Sequence, residues 1–87
     1  MTIKKNVIME FIQIGENELT VFDPQTGDTH FLDETGSVIL SCLDTATPIE
    51  ELIQKLSAKY QAEPGIIEAD VKEFVNDLLE KEIVVSE

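Results

Sequence analysis

Residues 23–33 read Asp23-Pro24-Gln25-Thr26-Gly27-Asp28-Thr29-His30-Phe31-Leu32-Asp33, and the change of character inside this stretch decides the fold. Proline and glycine sit where a tight connection needs them, and the short run Thr29 to Leu32 returns as a strand. Asp33 then stands where a helix N-cap belongs. A strand therefore feeds directly into a helix. Upstream, Leu19 to Phe22 reads as a second strand. Val7 to Ile14 (VIMEFIQI), rich in β-branched and aromatic residues, reads as the first, with Gly15-Glu16-Asn17 as the turn between them. The three strands are expected to form an antiparallel meander.

Downstream the period becomes helical. The first helix carries Val38, Ile39, Cys42 and Leu43 on its apolar side and breaks at Asp44-Thr45-Ala46. Thr47-Pro48-Ile49-Glu50 has the form of a capping box: threonine as N-cap, proline at the first helical position and glutamate two residues on. The second helix places Ile49, Leu52, Ile53, Leu56 and Tyr60 on one face. Pro64-Gly65 separates it from a third helix, whose stripe is Ile67, Val71, Phe74, Val75 and Leu78. Acidic residues near the start of that helix and Lys81 near its end suit the helix dipole. Ile83-Val84-Val85 is a β-prone tail expected to pack back on the sheet. The order β-β-β-α-α-α predicts an α+β fold, a three-stranded antiparallel sheet followed by three helices in a winged-helix-like arrangement, with residues 1–87 as one domain.

Charge narrows the choice of partner. Eighteen carboxylates face six lysines, and the formal net charge is −12. A nucleic-acid or anionic-membrane surface needs cations opposite its phosphates, so neither is an expected partner. A basic peptide or protein surface is. Cys42 is the lone cysteine, which rules out an intrachain disulfide. Lys4 and Lys5 precede an apolar run, but Glu10 and Gln13 interrupt it, and no stretch reaches the roughly 20 apolar residues of a membrane span. The expected location is the cytoplasm.

The sequence offers no catalytic constellation. His30 is the lone histidine, without a second nitrogen or thiolate at metal spacing, and reads as an edge-strand residue. Cys42, on an apolar helix side, reads as a small hydrophobe. The carboxylates occupy solvated helix faces, and Gly27 and Gly36 belong to no phosphate loop. No catalytic residue, metal or cofactor is expected.

The run Thr26 to Gly36, followed by Ile39-Leu40, Leu43-Asp44, Thr47-Pro48-Ile49-Glu50-Glu51-Leu52, Tyr60, Asp70-Val71, Phe74-Val75 and Leu78, resembles the PqqD family. These are small peptide chaperones, also called RiPP recognition elements. The likeness spans about residues 15 to 86, and GDTHFLD is most similar to the branch that serves pathways other than pyrroloquinoline quinone. Many members carry a glycine near the first inter-helix turn, where this chain has Leu43-Asp44-Thr45-Ala46. The resemblance implies a non-catalytic domain that captures the leader segment of a ribosomally made precursor peptide as an added strand. It further implies presentation of that precursor to a modifying enzyme such as a radical SAM protein, a protease or a cyclase.

The groove so implied lies between the third strand and the third helix. Its candidate residues are Thr29, His30, Phe31 and Leu32 with Asp70, Val71, Glu73, Phe74, Asp77 and Leu78. An unpaired strand edge can bond an extended peptide through its main chain, and adjacent pockets can select side chains. An acyl-carrier domain would need an Asp-Ser-Leu attachment site, which is absent. A DNA-binding winged helix would present Asp70, Glu73, Asp77 and Glu80 on its recognition helix. A generic adaptor for folded proteins is the remaining alternative.

Overall fold

Alternation along the meander sorts its side chains, and the computed structural model, which describes Met1–Glu87, shows where each set goes. Strand β1 (Thr2–Lys5) precedes the meander, which comprises β2 (Glu10–Gln13), β3 (Leu19–Phe22) and β4 (Thr29–Leu32). Leu19 pairs with Leu32 and Val21 with His30, so these side chains share the inner face; Leu19, Val21 and Leu32 are buried there. Thr20 and Phe22, opposite Phe31 and Thr29, share the outer face. The β3–β4 connection is built as the sequence predicts. The Asp23 carboxylate accepts hydrogen bonds from the N–H groups of Gln25 (2.9 Å) and Thr26 (3.4 Å), and Gly27 turns the chain at φ +80°.

Helix α1 (Glu34–Ser41) follows at once, and the Asp33 carboxylate caps it by accepting from the Gly36 N–H at 3.3 Å. Strand β5 (Thr47–Pro48), helix α2 (Ile49–Tyr60), helix α3 (Pro64–Glu80) and strand β6 (Val84–Ser86) complete the chain. The core joins inner-face residues of the sheet to Ile39, Leu40 and Leu43 of the α1 region, Leu52 and Leu56 of α2, and Val75 and Leu78 of α3. Full burial of one such side chain is worth about 1.5–3 kcal/mol. The predicted stripes of α2 and α3 therefore supply much of the cohesion.

The α+β architecture is as expected, but its sheet structure is richer. A second three-stranded antiparallel sheet, ordered β5-β1-β6, stands beside the meander. The tail returns as expected, yet it pairs with β1, with Lys4 opposite Val85. The first strand of the meander also starts later than Val7. A turn organised by Asn6 delays it: the Asn6 carboxamide oxygen accepts from the Ile8 N–H at 3.2 Å, and its NH2 donates to the Glu82 carbonyl at 2.8 Å. This asparagine-centred turn splits the N-terminal segment into β1 and β2.

Three helix ends differ from the sequence reading. Thr47 is a buried strand residue whose hydroxyl donates to the Thr45 carbonyl at 2.9 Å; Pro48 is the N-cap of α2 and makes no side-chain cap bond. The Met1 carbonyl instead accepts from the Ile49 N–H at 2.8 Å, so a distant strand satisfies a donor that the capping box would have left to Thr47. Pro64 and Gly65 open α3 rather than separate two helices, and the break falls at Gln61, in the left-handed region at φ +52°. The first turn of α3 carries no acidic residue. Lys81 lies just past its last turn and pairs with Asp77 at 2.9 Å.

Candidate functional site

Strand β4 hydrogen-bonds to β3 on one side and to no strand on the other. The ladder assigns its backbone groups. The Asp23 N–H donates to the Asp28 carbonyl at 2.9 Å, and pairs alternate from there, so His30 and Leu32 exchange bonds with Val21 and Leu19. The middle strand agrees: the Ile14 N–H donates to the Glu18 carbonyl, which gives Thr20 to β2 and leaves Val21 for β4. Thr29 and Phe31 therefore direct their N–H and C=O groups to the open edge. Those groups are free to bond an extended chain.

Phe74 of helix α3 comes close to the chain where β4 ends. At Gly36, directly after β4, an added Cβ would lie 3.0 Å from Leu32 Cβ and 3.3 Å from Phe74 Cζ. The end of the strand, the start of α1 and the Phe74 ring converge there, so a side chain at this position meets tight contacts. Phe74 is half-buried and borders two hollows. One, of about 200 Å3, is mainly apolar and lies between the helices, lined by Thr35, Ile39, Leu56, Tyr60, Ile67, Asp70, Val71 and Phe74. The other, of about 530 Å3, is a shallow polar depression along α3 bounded by Asp70, Glu73, Phe74, Asn76, Asp77 and Glu80.

The candidate residues thus separate by position. Thr29, Phe31, Asp70, Glu73 and Asp77 are exposed, and His30 and Phe74 are half-buried. Leu32 and Val71 are buried at the rim of the site. Leu78 is wholly buried and belongs to the floor under α3 rather than to any surface. Asp77 is held by Lys81, and Glu68 by Lys72 at 2.9 Å, which leaves Asp70, Glu73 and Glu80 as carboxylates with no lysine partner on this face. Exposed pairs of this kind contribute about 0–1 kcal/mol each.

Tyr60 is the residue of this region that its sequence position concealed. As the last member of the α2 stripe it reads as core, yet it is 47% exposed and lines the apolar hollow with Phe74. Burial raises its hydroxyl above the ordinary tyrosine value of about 10, and the carboxylates of Glu34 and Asp33 act in the same direction. The phenol is therefore neutral through the physiological range and able to donate a hydrogen bond. The one legible signal was its place at the very end of the stripe, where a helix runs out of core.

A family model described as coenzyme PQQ synthesis protein D (PqqD) matches residues 18–84, which include both β4 and α3. No curated protein sequence matches significantly. Among solved structures, the chain is similar to TbiB1, determined in complex with the TbiA(beta) leader peptide. The two share 28% identity and a TM-score of 0.82 over 93% of each chain. It is also similar in fold to the PqqD truncation of Methylobacterium extorquens PqqCD, a solution NMR structure representing a functional, stand-alone RiPP recognition element. There the identity is 23% and the TM-score 0.74, over 97% of this chain and 88% of that one.

Proposed function

The chain belongs to the PqqD family, and from that premise we propose that it recognises the leader segment of a ribosomally synthesised precursor peptide and presents that precursor to a modifying enzyme. The leader adds to β4 as a further strand of the meander, bonded by the outward backbone groups of Thr29 and Phe31. The observation that carries this reading is the open edge of β4, whose last residue, Leu32, and Phe74 of α3 both crowd Gly36. A main-chain ladder gives affinity without demanding a particular sequence, and the neighbouring hollows add selectivity.

The two hollows define the preferred leader. An apolar side chain of the leader enters the space between Phe74, Tyr60 and Ile67, and a lysine or arginine lies toward Asp70 and Glu73. Val71 and Leu78 support these contacts from beneath. His30 and Leu32 hold β4 on β3 and face inward. The role is non-catalytic: the domain supplies orientation and local concentration to another protein's chemistry. Support comes from the net charge of −12, which favours basic partners, and from the likeness to a protein solved with a leader peptide bound.

The test is a titration with a candidate leader peptide, followed by amide chemical shifts. Shifts are expected along Thr29–Leu32 and the Phe74 side of α3. Shifts confined to the β5-β1-β6 sheet would overturn the reading. Phe74→Ala in a folded variant is expected to weaken binding by at least about 1 kcal/mol, as removal of a central aromatic anchor does.

A further inference from the structure

The outer face of the meander, whose side chains the leader reading does not use, carries four apolar side chains, Ile12, Ile14, Phe22 and Phe31, grouped around Thr20. Strand register places Ile12, Thr20 and Phe31 in one row across the three strands, with Glu10, Phe22 and Thr29 in the next. Ile14 and Glu18 continue the face on the other side of the Ile12 row. Phe31 is 77% exposed, Ile14 57% and Ile12 48%. Ile14 and Phe31 border one shallow hollow of about 300 Å3. Isolated apolar side chains on a surface are ordinary, whereas neighbouring ones on a single sheet face mark an interaction surface.

The rim of this face has one sign of charge. Glu10, Glu18 and Asp33 border it, and residues 10–33 contain no lysine or arginine. We propose that this face is a second docking surface, for a folded protein whose contact patch is apolar at its centre and ringed by lysine or arginine. A second copy of the chain is the wrong occupant. A two-fold contact would set Glu10 and Glu18 against equivalent carboxylates in a chain of net charge −12. Three strands of four residues offer only about 14 by 14 Å, so a contact made here is small and short-lived. A small apolar centre with a charged rim suits a transient, electrostatically steered contact.

The choice of partner, the peptide-modifying enzyme that this chain serves, rests on the function proposed above. Ile12 and Ile14 lie on or beyond β2, two strands or about 10 Å from the edge assigned to the leader, so the two surfaces separate by mutation. The full chain and its Ile12→Lys and Glu18→Lys variants are titrated against the purified enzyme and, separately, against the leader. Ile12→Lys is expected to weaken enzyme binding at least tenfold and Glu18→Lys several-fold, with leader affinity unchanged for both. The wild-type contact is expected to weaken as salt rises. Equal enzyme affinity for wild type and Ile12→Lys, or no enzyme binding by the wild type, overturns the proposal. So does sedimentation showing a wild-type dimer that Ile12→Lys converts to monomer. Loss of leader binding by the wild type would strike the strand-addition reading instead, and the leader titration reports that separately.

Discussion

Replacing Phe31 by proline removes one N–H from the open edge of β4 and leaves the ladder to β3 in place. The Phe31 backbone points away from β3, because its pair with Thr20 lies between the bonded pairs His30–Val21 and Leu32–Leu19. Proline is tolerated on an edge strand whose N–H faces outward, and His30 before it already has the extended backbone that proline requires. The variant should therefore fold. For a leader added to this edge it deletes a donor and sets a bulky ring where the peptide carbonyl would approach. A hydrogen bond of this kind is worth about 0.5–1.5 kcal/mol net, and stranding its partner costs about 1–3 kcal/mol. A loss of about 1–3 kcal/mol weakens Kd roughly 5- to 150-fold. Phe31→Thr is the control, since it removes the same ring and keeps the N–H. Calorimetric titration of both variants with the leader should show the proline form several-fold weaker than the threonine form. Equal affinities would refute main-chain pairing at Phe31.

Gly36→Ala places a methyl 3.0 Å from Leu32 Cβ and 3.3 Å from Phe74 Cζ. Overpacking of about 1–3 kcal/mol outweighs the roughly 0.5–1 kcal/mol that alanine gains in a helix, so thermal unfolding should show a lower Tm and leader affinity should fall with the displaced ring. Leu78→Ala, at a site with no exposure, should cost about 2–5 kcal/mol of stability by denaturant unfolding, the signature of a core residue. Tyr60 is the single tyrosine in a chain without tryptophan, so its ultraviolet titration is unobscured. Its midpoint should lie above about 10 and move down in Glu34→Gln. Because the folded-state value is the raised one, the native state holds the proton longer than the unfolded chain does. The associated stability is complete below pH of about 10 and is lost as pH rises through the folded value. A midpoint at or below that of free tyrosine would contradict the assigned environment.

The parts of the fold that were legible from sequence are those whose causes are local. The Asp23–Asp28 turn is specified by an aspartate that bonds its own following amides and by a glycine at positive φ, all within six residues. The Asp33 cap and the helical stripes of α2 and α3 are equally short-range. The second sheet was not legible because β1 has only four residues, and its partners lie at Thr47–Pro48 and Val84–Ser86. No local period announces such pairing. The Thr47 misreading has the same origin: the pattern of a capping box is present, but the Met1 carbonyl provides the bond from the far end of the chain. The sequence shows the strand and the helix of the candidate groove separately, whereas their approach at Gly36 and Phe74 is a tertiary contact with no local signature. Tyr60 is concealed because a helix stripe does not reveal where its last member leaves the core, and Thr35 because it stands outside the apolar side of α1.

Amide hydrogen exchange at the individual residues of β4 tests the strand-addition claim most directly. In the free protein His30 and Leu32 should exchange slowly, because their N–H groups bond β3, while Thr29 and Phe31 should exchange fast. Saturation with leader peptide is expected to slow Thr29 and Phe31 at least tenfold. Unchanged fast exchange at both, under conditions where the leader is demonstrably bound, would show that it docks without pairing to this edge.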